Sequence, residues 1–234
     1  MAQPTVVLVH GAFADASGWA GVIRELITDG YDVIAPPNPL RSLSFDAGTI
    51  ETLVKSIDGP VVLVGHSYGG AVVTQASAAL DNVTALVYIA AFGIDEGESC
   101  LSAQEGFPPT LLGSTNRPTS YDAPGAPGGP DIYVAKDGFR DTFCGDSTAD
   151  VASVLYATQR PLSAAAYTEA LTGAGWKKTP SWYLISEDDN AIPPEAQKVW
   201  AARMNATTES IKGSHTAFVA QPVAAADFIK KALK

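Results

Sequence analysis

Histidine and cysteine are scarce in this 234-residue chain: three of the former and two of the latter. Imidazole is the side chain whose ordinary pKa lets it exchange a proton near neutral pH, so base chemistry of that kind has three candidate seats, His10, His66 and His215. Cys100 and Cys144 have neither a C-x-x-C spacing nor histidine neighbours, which argues against a metal or dithiol redox site. Two free thiols in a reducing cytoplasm are expected. A single disulfide between them is the alternative, since sequence does not supply their Cα separation. Positive charge is also short, with 15 Lys and Arg against 25 Asp and Glu and a net charge of −10. No basic stripe is available to neutralise phosphates, and a nucleic-acid partner is not expected. Apolar runs stay well below the roughly 20 residues that a membrane span needs, so a membrane protein is not expected either. The start, Met1-Ala2-Gln3-Pro4, enters a Val/Leu run without a basic region before it, and no export signal is expected.

What the chain does have is an alternation of strand and helix signals. Hydrophobic residues make up 46% and charged residues 17%, the composition of one ordinary globular domain with a sizeable core. Val6-Val7-Leu8-Val9 is a continuous apolar run of the kind buried on both faces of a parallel sheet, and it ends at His10-Gly11. Trp19, Val22, Ile23, Leu26 and Ile27 follow at helical spacing, with Gly30 placed to cap the helix. A strand over 31–35, a helix marked by Ile50, Leu53, Val54 and Ile57, the strand Val61-Val62-Leu63-Val64, a helix over 71–80 and a strand over 85–90 come next. The rhythm breaks over 93–178, where prolines and the segment Pro124-Gly125-Ala126-Pro127-Gly128-Gly129-Pro130 punctuate the chain and no sheet strand is evident. This region is expected to be a helical cap insertion with an irregular front and helices over 148–158 and 163–171. The rhythm resumes with strand Trp182-Tyr183-Leu184-Ile185, a helix over 194–204, a weak strand near Ser210-Ile211 and a last helix from Pro222. Residues 1–92 and 179–234 are thus expected to form a mostly parallel, doubly wound α/β core.

Gly65-His66-Ser67-Tyr68-Gly69 sits between the apolar run 61–64 and the next helix. The G-x-S-x-G pattern is common in glycine-rich loops; strand before and helix after make it a nucleophile elbow, with Ser67 at a strained turn. A serine hydroxyl needs a base within reach, itself oriented by an acid. His66 should point away from the catalytic face and His10 should support its own loop. His215, in Gly213-Ser214-His215-Thr216 after the last strand, is the expected base. Ser186-Glu187-Asp188-Asp189-Asn190 follows the strand 182–185; Asp189 is the favoured acid because Ala191-Ile192-Pro193 should pin its loop, with Asp188 in reserve. The oxyanion hole is expected from the N–H groups of Tyr68 and Ala12, with Gly11 allowing a tight turn. Substrate contacts are expected from Gly11, Phe13, Leu155 and Trp176, and no metal ligands are expected.

Together, Val7-Leu8-Val9-His10-Gly11-Ala12, Gly65-His66-Ser67-Tyr68-Gly69-Gly70, Asp189-Asn190-Ala191-Ile192-Pro193 and Gly213-Ser214-His215 resemble the α/β-hydrolase superfamily. They look like its small bacterial esterase-like members, similar to the plant methylesterase and hydroxynitrile lyase group. The resemblance implies a cofactor-free enzyme with a helical cap above Ser67. It departs from the lyases at two positions: they carry threonine where Gly11 stands and lysine where Thr216 follows His215. A serine carboxylesterase acting on small, largely apolar esters is therefore the expected function. Lyase, perhydrolase or cofactor-free oxygenase chemistry on the same fold, and a non-catalytic small-ligand-binding module, are the competing readings. Whether the chain works alone or as a homodimer is left open.

Overall fold

The computed structural model describes residues 3–121 and 129–233. The front of the Pro/Gly-rich segment, 124–128, lies outside them. In chain order the elements before the insertion are β1 (Thr5–Val9), α1 (Ala20–Thr28), β2 (Val33–Ile34), α2 (Leu43–Lys55), β3 (Val61–His66), α3 (Tyr68–Ala78) and β4 (Val83–Ile89). The insertion holds α4 (Leu111–Thr115), β5 (Asn116–Thr119), β6 (Asp131–Val134), α5 (Lys136–Phe143), α6 (Ala149–Ala157), β7 (Leu162–Ser163) and α7 (Ala164–Thr168). The chain then returns through β8 (Ser181–Ser186), α8 (Pro194–Arg203), β9 (Thr207–Ile211), α9 (Ala217–Ala220) and α10 (Pro222–Lys231).

Six strands form one sheet in the order β2-β1-β3-β4-β8-β9, and every neighbouring pair is parallel. The continuous apolar runs explain why. Along β1, Val7 and Val9 pack into the core on one face while Val6 and Leu8 pack into the core on the other. β3 divides the same way, Val61 and Leu63 against Val62 and Val64. Helices α2, α3 and α8 cover the first face through Ile50, Val54, Val72 and Trp200; α1 and α10 cover the second through Val22, Leu26, Phe228 and Ile229. Each such fully buried side chain contributes about 1.5–3 kcal/mol, and the central strands, apolar on both faces, have no other stable location.

Between β4 and β8 the structure differs from the expectation. A second sheet of three antiparallel strands, β5-β6-β7, lies inside the insertion. β5, Asn-Arg-Pro-Thr, is exposed throughout and carries Pro118 at the sheet edge, where a missing N–H costs nothing; β7 has only two residues. Neither leaves a hydrophobic alternation to read. Cys100 and Cys144 are separate, buried free thiols. Among the described residues no helix is long and apolar enough to cross a membrane.

Candidate active site

His10, Ser67, Asp189 and His215 follow β1, β3, β8 and β9, all at the carboxyl ends of parallel strands, where open α/β sheets place their ligand crevice. Ser67 makes the whole turn from β3 to α3 at φ 54°, ψ −127°, a region that strains any residue with a Cβ. Its surroundings hold it there: its N–H donates to the Ile89 carbonyl at 3.3 Å, and its own carbonyl accepts from Gly70 and Phe92 N–H at 3.0 Å each. Gly11 explains the closeness of the first loop. A Cβ on it would lie 2.5 Å from Ser67 Cβ and 2.8 Å from the His66 carbonyl. Expected as a substrate contact, Gly11 instead packs against the turn at Ser67 and does not line the cavity.

Ser67 and His215 both border a cavity of about 230 Å³, walled chiefly by apolar side chains such as Phe13, Phe92, Phe143, Leu162 and Ile192. Phe13, one of the expected substrate contacts, borders this cavity. Leu155 and Trp176 do not: Leu155 packs half-buried against the core, and the Trp176 indole N–H donates to the Ile94 carbonyl at 2.9 Å. A half-buried indole needs an acceptor for its N–H, and Ile94 fixes it away from the cavity. Of the other apolar insertion residues, Leu162 and Tyr167 reach the cavity, whereas Val151 and Val154 are exposed.

The imidazole of His215 is 1% exposed, and its Nδ1–H donates to Asp189 Oδ2 at 2.8 Å. Asp189 Oδ1 accepts from the N–H groups of Ala191 and Ile192 at 2.7 and 2.9 Å, and Oδ2 accepts also from Gln197 Nε2 at 2.8 Å. Four donors thus converge on two buried oxygens, the condition under which burying a carboxylate is tolerable. Glu187 and Asp188 point to solvent.

The other two histidines are structural. His66 donates from Nε2 to the His215 backbone carbonyl at 2.9 Å, with the two rings 4.6 Å apart, and burial holds its pKa well below the ordinary value. His10 accepts from Asn38 N–H at Nε2 (2.9 Å) and donates from Nδ1 to the Gly11 carbonyl (2.9 Å); burial lowers its pKa to about 4. Neither lines the cavity.

The N–H groups of Ala12 and Tyr68 have no protein acceptor among the described residues, and both residues border the cavity beside Ser67. Tyr68 opens α3, an 11-residue helix whose positive end faces the same place. Its hydroxyl is anchored by donation to Asp46 Oδ2 at 2.8 Å, and burial pushes the Asp46 carboxyl up to about 6. Among the described residues no lysine borders the cavity: Lys177 pairs with Asp95 at 2.7 Å, and Lys178 approaches Asp81 at 3.8 Å. Thr216 donates its hydroxyl to the Phe143 carbonyl at 3.0 Å. Among the described residues no cluster of His, Cys, Asp or Glu is arranged to hold a metal ion.

Comparison with known proteins matches residues 6–228 to the alpha/beta hydrolase family. This chain is an alpha/beta hydrolase. The alpha/beta hydrolase nvfD of Aspergillus novofumigatus is 28% identical over 231 residues, covering 91% of this chain and 88% of that protein. An Arabidopsis thaliana protein named "Putative methylesterase 11, chloroplastic" is 25% identical over 220 residues, covering 82% of this chain and 54% of its own length. Among solved structures, an extracellular alpha/beta-hydrolase from a Paenibacillus species superposes with a TM-score of 0.81 at 25% identity over 99% of both chains; it is described as sharing structural and functional homology with tobacco salicylic acid binding protein 2.

In this hydrolase the sequence reading missed Gln197. Its Nε2 donates to both Asp189 Oδ2 and the Ile192 carbonyl (3.1 Å), while its Oε1 accepts from Ser186 N–H at 3.1 Å. A signal was present: Gln197 shares the buried face of α8 with Ala196, Trp200 and Ala201, where an amide must have a polar reason to be. Gln197→Ala is expected to lower kcat about tenfold through a less well-held Asp189, since an unmet buried hydrogen bond costs about 1–3 kcal/mol. Steady-state kinetics at saturating substrate check it; an unchanged kcat would confine Gln197 to folding.

Proposed function

We propose that this protein is a serine esterase that cleaves small, neutral, largely apolar carboxylic esters through an acyl-enzyme. The observation that carries the reading is that Ser67 shares one apolar cavity with a histidine whose far nitrogen is held by a buried, fully hydrogen-bonded aspartate. With Nδ1–H committed to Asp189, the neutral tautomer leaves Nε2 unprotonated and free to accept a proton. In this reading Ser67 Oγ attacks the ester carbonyl as His215 Nε2 takes its proton, and the Ala12 and Tyr68 N–H groups receive the oxyanion. Collapse breaks the bond to the alkoxy group, which leaves as alcohol with the proton from His215. Water then enters by the same route, its proton going to His215 and its oxygen to the acyl carbon, and the acid is released from a regenerated Ser67.

The kinship with a protein named as a methylesterase favours ester over amide substrates. Two observations weigh against a cyanohydrin lyase: among the described residues no lysine borders the cavity, and the site of the lyases' threonine is filled by Gly11, where even a Cβ would crowd Ser67. Among the described residues no Lys or Arg lines the cavity to receive an anionic substrate group. A panel of p-nitrophenyl and methyl esters of increasing acyl length, with charged acyl groups included, tests the reading. Short and medium neutral esters are expected to turn over, charged ones only weakly, and one methylene to change kcat/KM by no more than about 1–3 kcal/mol. Leu162→Ala, which enlarges the cavity, should shift the preference towards longer acyl chains while keeping turnover of the smallest ester. Ligand retention without turnover of any ester would favour the non-catalytic binding module instead.

A further inference from the structure

We propose that Asp146, a residue of the insertion, is a positioning residue for His215, so that the segment usually regarded as a cover also holds the base in place. This rests on the reading of His215 as the base. After α5 ends at Phe143, the chain makes a tight turn: Ser147 N–H donates to the Cys144 carbonyl at 3.0 Å, and the Arg140 guanidinium grips the Ser147 carbonyl at 3.0 Å. That turn presents Asp146 and the Phe143 carbonyl to the loop that carries His215. Asp146 accepts twice from the residue before the base, from Ser214 N–H at Oδ2 (3.1 Å) and from the Ser214 hydroxyl at Oδ1. The Phe143 carbonyl accepts twice from the residue after it, from Thr216 N–H at 3.1 Å and the Thr216 hydroxyl at 3.0 Å. The peptide links on both sides of His215 are therefore fixed by one turn of the insertion.

Three further features agree. Gly213 stands at φ 158° with no room for a Cβ between Asp146 and Ala217, so the loop is pressed against the carboxylate. The Phe143 ring packs 5.0 Å from the His215 ring, centroid to centroid, which limits its rotation. The acid loop is tied to the same helix, through Asn190 Nδ2 donating to the Asp141 carbonyl at 2.9 Å. Among the described residues Asp146 has no cationic partner within 4 Å, so its carboxylate serves this loop alone. A displacement of about 1 Å at a catalytic group can cost about 10²-fold in rate, which sets the scale on which this anchor matters.

The test compares Asp146→Ala, Ser214→Ala and the double variant with the parent, and uses Asp81→Ala, at the far end of β4, as a control that removes one equally negative charge. Asp146→Ala is expected to lower kcat about tenfold with KM changed less than about twofold, because a loosened base affects the chemical step and not substrate binding. The double variant should lose no more than Asp146→Ala alone, the mark of two residues acting through one contact. A readout independent of turnover is the proton NMR signal of His215 Nδ1–H against Asp189, which should broaden or move in Asp146→Ala and stay in place in Asp81→Ala. A kcat within twofold of the parent, losses that multiply in the double variant, or an unmoved Nδ1–H signal would overturn the anchor. Since His215→Ala measured in parallel reports on the base itself, an inactive His215→Ala beside a fully active Asp146→Ala would reject the anchor alone. An active His215→Ala would reject the reading beneath it.

Discussion

Ser67→Ala is expected to lose ester hydrolysis by about 10⁴-fold or more while folding as the parent does. The first half follows from chemistry: the hydroxyl is the one group at the elbow able to form the acyl bond, and neither water nor His215 replaces it at a comparable rate. The second half follows from geometry. What holds residue 67 at φ 54° is backbone, its N–H to Ile89 and its carbonyl to Gly70 and Phe92, and alanine keeps all three bonds and suffers the same strain. Among the described residues the hydrogen bonds of Ser67 are those of its backbone, and its side-chain oxygen has none. Circular dichroism and melting temperature should therefore match the parent, and a fluorophosphonate probe should label the parent and not the variant. Retention of more than a tenth of kcat with an unchanged fold would refute a serine nucleophile.

Legibility in the sequence followed how local each physical cause is. β1, β3, β4 and β8 were readable because strands buried on both faces are apolar along most of their length, and Val6 to Val9 or Val61 to Val64 have few other uses. The elbow was readable because a serine turn this tight excludes side chains around it, leaving glycines in fixed places. β5 and β7 were not, since an exposed edge of Asn-Arg-Pro-Thr and a two-residue strand owe their conformation to the neighbour they pair with. Leu155 and Trp176 failed as cavity residues for a related reason. Composition says that a helix such as α6 has apolar side chains, but its orientation on the core decides which of them face the cavity; there Ala152 is buried while Val151 and Val154 meet solvent. Asp146 carried no signal at all, because its partner Ser214 is distant in sequence and only the turn after α5 brings them together.

The choice between neighbouring carboxylates leads to the second large effect, a kcat lowered about 10²- to 10⁴-fold by Asp189→Asn and hardly changed by Asp188→Asn. Both Asp189 oxygens are occupied: Oδ1 faces two N–H donors, from Ala191 and Ile192, and Oδ2 faces two more, from Gln197 and His215. An asparagine has one carbonyl oxygen and one NH2 group, so two donors must confront a donor whichever way the amide turns. Keeping the oxygen on the two backbone N–H groups, which cannot move away, puts the NH2 group against His215. In the serine-esterase reading the imidazole then relieves the conflict by moving its proton from Nδ1 to Nε2, and a protonated Nε2 can no longer take the serine proton. The loss should thus fall on kcat, with KM little affected, because the cavity walls are unchanged. Asp188 is exposed and contributes only a backbone N–H to the Gly213 carbonyl, so its side chain has no contact through which to act. Parallel kinetics on the two variants check the assignment. Equal losses would mean that the oxygens of Asp189 do not set the imidazole tautomer, and a larger loss in Asp188→Asn would transfer the role to that residue.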